Sequence, residues 1–213
     1  MKRVIYVLVI VFPLIGLIQG SAVFALLGAQ GDSIVLEDFS SHGANGLPEG
    51  WKAQNENPKP AEVYKILKET DVSYLYANGR PNRIFKKMKW NPNEYPYITW
   101  RWRMVKVPDD PEKERSANLY VSLGTDLIGI PKITKYAWSS LKKAGSEVSG
   151  GFFRPTTIVL RSGSPQSGEW VTETLNVLED YRRLHQEDPP TEAYGIGILT
   201  TIEAEFAEII AHK

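Results

Sequence analysis

Cysteine is absent from the sequence. That excludes disulfide cross-links, a thiolate nucleophile, a cysteine-bearing zinc site and acylation of a lipoprotein anchor. Histidine is scarce: His42, His185 and His212 lie far apart along the chain, and none neighbours a Gly-x-Ser-x-Gly turn. Neither a nucleophile–base pair nor a metal centre is indicated, and no cofactor is expected. Basic excess is missing too, since 25 Lys and Arg balance 25 Asp and Glu. The one basic cluster, Lys86-Lys87-Met88-Lys89, is short and reads as a solvated strand or loop edge. Nucleic-acid binding normally needs a basic stripe, so no nucleic-acid partner is expected. After the first residues there is no second long apolar run, no internal repeat and no low-complexity linker. One domain is the simplest organisation.

What is present begins with a leader. Lys2 and Arg3 precede an unbroken apolar run from Val4 to Ile18, and small residues follow it through Ala25. This is the layout of a secretory signal, with Val23 and Ala25 at the −3 and −1 positions and Gly20 and Ala22 as a second choice. The apolar run falls short of the roughly 20 residues needed to span a bilayer, and Pro13 interrupts it. Cleavage is therefore expected. The division is a signal peptide over 1–25 and a single domain over 26–213, periplasmic or secreted, touching the membrane only if the leader stays on. With no disulfide to staple it, the domain must be held by its core.

The mature chain is patterned for strands. Ile98, Trp100, Trp102 and Met104 alternate with Thr99, Arg101 and Arg103, which sends the first set to one face of a strand and the second to the other. Ala117, Leu119, Val121 and Leu123 likewise alternate with Asn118, Tyr120 and Ser122. Further strands are predicted over 34–39, 62–68, 72–77, 83–89, 134–141, 156–161, 169–177, 194–201 and 204–212. Proline-rich charged loops separate some of them, as in Asn55–Pro60 and Pro108–Glu114. Short, evenly spaced strands predict an all-β jelly roll or β-sandwich. The segment Val177–His185 differs: acidic residues come early and basic residues late, which suits a helix dipole, and Pro189-Pro190 closes it. One short surface helix is expected there.

An ordered set of motifs carries a resemblance. Leu47-Pro48-Glu49-Gly50-Trp51, Trp100-Arg101-Trp102-Arg103, Leu119-Tyr120-Val121, Tyr136-Ala137-Trp138, Gly168-Glu169-Trp170-Val171-Thr172-Glu173, Asn176-Val177, Asp180-Tyr181-Arg182-Arg183 and Gly195-Ile196-Gly197-Ile198 follow in that order. Their order and spacing resemble the domain of unknown function 3047 family of bacterial envelope proteins. The resemblance implies a secreted β-sandwich of jelly-roll type with no assigned activity. The chain departs from the family pattern at Lys113-Glu114, Asn118 and Thr200-Thr201-Ile202-Glu203, where that pattern has an acidic pair, an arginine and an aspartate-rich segment. A family site built on those positions is altered here.

Candidate chemistry is left to carboxylates and aromatic residues. Glycoside hydrolysis needs two acids flanking the scissile bond, and Glu173 with Asp180 is the best pair. Glu173 shares a strand face with Val171, Leu175 and Val177, so it needs a cation, which Arg101 or Arg103 can supply. Six Trp and ten Tyr offer flat faces for sugar rings. The candidate ligand-binding residues are Arg101, Arg103, Tyr120, Asn118, Trp138 and Glu173, with no catalytic or metal-binding residue assigned. They suit a non-enzymatic module that binds a carbohydrate or another polar envelope ligand. A structural or interaction protein is the alternative, with a polysaccharide hydrolase third.

Overall fold

A computed structural model describes residues 31–106, 110, 112–151, 154–163 and 168–213, so the expected leader over 1–25 lies outside the described residues. Chain order is β1 (Ser33–Glu37), β2 (Trp51–Ala53), α1 (Pro60–Val63), β3 (Tyr64–Glu69), β4 (Val72–Asn78), β5 (Ile84–Lys87), β6 (Tyr97–Lys106), β7 (Ser116–Thr125), β8 (Pro131–Ser139), β9 (Glu147–Val148), β10 (Thr156–Ser162), β11 (Val171–Asn176), α2 (Val177–His185), β12 (Gly195–Thr200) and β13 (Glu203–His212).

The strands form two sheets, sheet A in the order β11-β6-β13-β4-β3 with β1 paired to β13, and sheet B in the order β2-β5-β12-β7-β8-β10-β9. Pairings are antiparallel except for the parallel pair β8–β10. The tryptophans explain why the sheets face each other. Ile98, Trp100, Trp102 and Met104 are buried along one side of β6, and a single sheet cannot cover them. Sheet B supplies the cover: Trp100 meets Tyr136 at 6.0 Å between ring centroids, and Trp102 meets Trp138 edge-on at 5.7 Å. Burying each such side chain fully stabilises by about 1.5–3 kcal/mol, which makes this aromatic seam the main cohesion of a domain without cross-links.

The helix over Val177–His185 forms where the charge pattern places it. Asn176 caps it, its side chain accepting from the Glu179 N–H at 3.0 Å, and Gln186 closes it in a left-handed conformation. Val177, Leu178 and Tyr181 are buried, and the helix contacts β6, β7 and β8, so it closes one end of the core. Asp180 accepts from the Tyr136 hydroxyl at 2.9 Å and ties the helix to sheet B.

Several boundaries differ from the sequence pattern. The strand predicted from Glu62 starts at Tyr64, because Pro60 favours a first helical turn that takes in Glu62 and Val63. The strand predicted to Leu141 stops at Ser139, whose hydroxyl accepts the Lys142 N–H and turns the chain. The short strands β2 and β9 carry too few residues to show a period. Among the described residues, no helix is long and apolar enough to cross a membrane.

Candidate functional site

Facing of the strands decides where the six candidate residues go. Since Trp100 and Trp102 point inward from β6, Arg101 and Arg103 stand on the outer face of sheet A. There Arg103 is bonded by Glu205 of β13 and, at 2.9 Å, by Glu69 of β3. Its guanidinium also lies 4.5 Å from the Trp170 ring centroid and 5.4 Å from that of Tyr74. Arg101 faces Glu208 at 3.7 Å and Trp170 at 5.8 Å. The patch is aromatic and polar, but its cations already have carboxylate partners, and Glu205 is buried.

Trp138 and Glu173 lie inside. Trp138 packs on Trp102 and donates its indole N–H to the Gly163 carbonyl at 3.0 Å. Glu173 is buried as its apolar strand face requires, but the cation that reaches it is neither Arg101 nor Arg103, which point to the opposite side of sheet A. Arg161 of β10 donates to it at 2.7 and 3.4 Å, and the Trp102 indole N–H adds a bond at 3.2 Å. Strict alternation would put Arg161 on the same side as Val159. A register shift between Val159 and Arg161 places it opposite Trp138 instead, at the inner face. Asp180, the other candidate carboxylate, is held by Tyr136 and Arg183.

Tyr120 and Asn118 lie on β7 of sheet B, with their side chains away from the core row of Leu119 and Val121. The structure therefore does not bring them together with Arg101 and Arg103: the two pairs occupy opposite outer faces of the sandwich. Asn118 is buried and donates to the Leu199 carbonyl at 2.8 Å and the Ser116 hydroxyl at 3.1 Å. Tyr120 is also nearly covered, because the Arg83 guanidinium lies over its ring at 4.7 Å. Burial raises the Tyr120 hydroxyl above its ordinary pKa, against the opposing pull of Arg83.

Around Tyr120 runs an open trough of about 210 Å³ across sheet B. Its shape follows from β12, where Gly195 and Gly197 alternate with Ile196 and Ile198. The isoleucines enter the core, and over Gly195–Ile198 the outer side carries no side chain. A Cβ on Gly197 would sit 3.0 Å from the Ile84 carbonyl and 3.5 Å from the Tyr120 Cβ, so glycine is what keeps the floor low. Phe85 and Tyr194 are half-buried along it, and the Lys87 ammonium stands 5.0 Å from the Tyr194 ring centroid. Among the lining residues there is no Asp or Glu.

Residues 49–210 match the family model described as a protein of unknown function, DUF3047. The chain belongs to this family. Among solved structures, this DUF3047 chain is similar to the K1 cleaved adhesin domain of Lys-gingipain from Porphyromonas gingivalis W83, at 14% identity and a TM-score of 0.42, over 86% of this chain and 99% of that one. It is also similar to the family 11 carbohydrate-binding module of the cellulosomal cellulase Lic26A-Cel5E of Clostridium thermocellum, at 12% identity and a TM-score of 0.39, over 84% and 91% of the two chains. A third is a non-crystalline cellulose specific carbohydrate-binding module, CBM28, at 13% identity and a TM-score of 0.41, over 80% and 88%. No curated protein matches the DUF3047 chain.

Sequence reasoning missed Arg83, Phe85, Lys87 and Tyr194 as trough residues. The available signal was the Gly195-Ile196-Gly197-Ile198 alternation, which leaves one strand face bare and draws its neighbours' side chains into view. Nothing local to Arg83 or Tyr194 indicates that they flank that bare face, since pairing of β5 with β12 is a long-range event.

Proposed function

We propose that the protein is a non-enzymatic extracytoplasmic module, periplasmic or secreted, that binds a carbohydrate in the trough of sheet B. The single observation that carries this reading is the aromatic lining left accessible by the bare face of β12, with Phe85 and Tyr194 half-buried along it. A sugar ring has an apolar face that stacks on such rings, while its hydroxyls turn to the exposed Gln54 side chain at the margin. The trough is smaller than the roughly 300–1,000 Å³ of sites that engulf a small molecule, which favours a short stretch of a longer chain lying across it. Hydrolysis would need paired carboxyl groups in the cleft, and the lining has none. The outer face of sheet A supports the other expectation, a structural role for Arg101 and Arg103, because their charges are met within the protein.

The test is affinity electrophoresis through gels holding soluble polysaccharides. The wild-type protein is retarded, and Phe85→Ala with Tyr194→Ala migrates freely while keeping its far-ultraviolet circular dichroism. Free migration of the wild-type protein through every gel overturns the reading.

A further inference from the structure

We infer that the ligand of the trough is an acidic glycan, a sugar chain bearing carboxylate or phosphate groups. The inference rests on the carbohydrate reading above and names its substrate class. Two cations line the aromatic trough, Arg83 over Tyr120 and Lys87 over Tyr194, and a third, Lys135, is the cross-strand neighbour of Tyr120 on β8. Among the described residues none of the three is in an ion pair, although twelve ion pairs form elsewhere on the chain. Lys86, the remaining cation of the lining, has its charge met by Glu37 at 2.9 Å. The chain as a whole is charge-neutral, so the cluster is local.

Desolvation makes the cluster informative. The Arg83 Nε is buried and has no hydrogen-bond partner. A buried donor left unmade is costly, whereas one awaiting a ligand oxygen is compensated on binding. Lys135 is more than half-buried, and its pKa lies below the ordinary lysine value because of burial and then the neighbouring Lys142 and Arg83. Glu114 offsets this in part; its Oε1 accepts from the Ser139 hydroxyl at 2.6 Å, its Oε2 has no hydrogen-bond partner, and it forms no ion pair with Lys135. Arg83 and Lys135 thus both stand beside Tyr120, and neither is in an ion pair among the described residues. An anionic group placed there relieves their repulsion and meets the Arg83 donors.

On sheet A each arginine beside an aromatic ring has a glutamate of its own; on sheet B none of the three cations does. A neutral sugar's hydroxyls can accept from these cations but bring no negative charge to meet theirs, and the trough has no carboxylate to accept the hydroxyl protons. An acidic sugar offers oxygens that guanidinium and ammonium groups donate to.

The experiment is titration calorimetry of the whole protein with hexagalacturonate for the carboxylate arm, a phosphomannan for the phosphate arm, cellohexaose as the neutral sugar and poly-glutamate as an anion without sugar. Acidic glycans are expected to bind at least about tenfold more tightly than cellohexaose. That preference should shrink between about 50 mM and about 500 mM NaCl as screening grows. Arg83→Gln and Lys135→Met each weaken acidic-glycan binding by about tenfold, Arg83→Lys by less, with unfolding midpoints recorded to show that the domain stays folded. Equal affinity for cellohexaose, unmoved by these variants, overturns the acidic preference and leaves the carbohydrate reading standing. Equal affinity for poly-glutamate overturns the carbohydrate reading, and no binding to any probe overturns both.

Discussion

The Arg161 guanidinium donates to Glu173 at 2.7 Å and joins β10 of sheet B to β11 of sheet A, so one ion pair spans the sandwich edge. Glu173 is buried while the Arg161 side chain is 46% exposed, an asymmetry that decides what each deletion costs.

Replacing Glu173 with Gln should destabilise by about 1–3 kcal/mol, because Arg161 and the Trp102 indole N–H both lose their charged acceptor. Arg161→Met strands a buried carboxylate and should cost at least as much. A double-mutant cycle read by urea unfolding is expected to give a coupling of about 1 kcal/mol or more. Strict additivity would show that the pair does not hold the sheets together.

Arg103→Ala leaves the buried Glu205 without its cation and should lower stability by about 1–3 kcal/mol. Arg101→Ala breaks a longer, half-exposed contact to Glu208 and should cost less than about 1 kcal/mol. Thermal melts check both values. Neither variant should change binding in the trough, which lies on the other sheet, and a loss of binding there would move the site to sheet A.

On β12, Gly195 and Gly197 separate a fold effect from a site effect. A Cβ on Gly195 would come 2.3 Å from the Lys86 carbonyl, and its φ of +151° lies where side chains are strained, so Gly195→Ala should disturb the β5–β12 ladder and cost about 1–3 kcal/mol. Gly197→Ala meets the Ile84 carbonyl at 3.0 Å and needs only a small shift. Chemical denaturation should show the larger loss at Gly195, while ligand titration shows weaker binding at Gly197 as its floor rises.

His185 should give the fold a step in its pH dependence. Burial, then Lys132, lowers the imidazole pKa below 6.5, against the pull of Glu187, and its ring lies 4.6 Å from that of Tyr181. The folded state therefore resists the proton that the unfolded chain accepts, so stability falls as pH drops through about 6.5 and levels off below the folded pKa. Glu187, whose carboxyl is held low by Lys132 and Tyr181, stabilises the fold above about pH 4.5 and loses that contribution only as pH falls further. Urea midpoints between about pH 7.5 and about pH 5.5 should decline for the wild type and flatten for His185→Gln. An unchanged slope in the variant would remove His185 from the account.

The alternation through Ile98–Met104 and the capped charge pattern of Val177–His185 were readable from the sequence, because strand period and helix ends are set by residues a few positions apart. So was the need of Glu173 for a cation, which follows from its apolar neighbours alone. The identity of that cation was not: a one-residue register shift after Val159 turns Arg161 inward, and no local pattern marks it. Nor did the strand pattern reveal that β6 and β7 belong to different sheets, since strand partners are chosen by long-range closure. Period two told which side chains share a face; only the assembled sandwich decided that Arg101 and Tyr120 look outward in opposite directions, and that the bare glycine face of β12 opens a trough beside one of them.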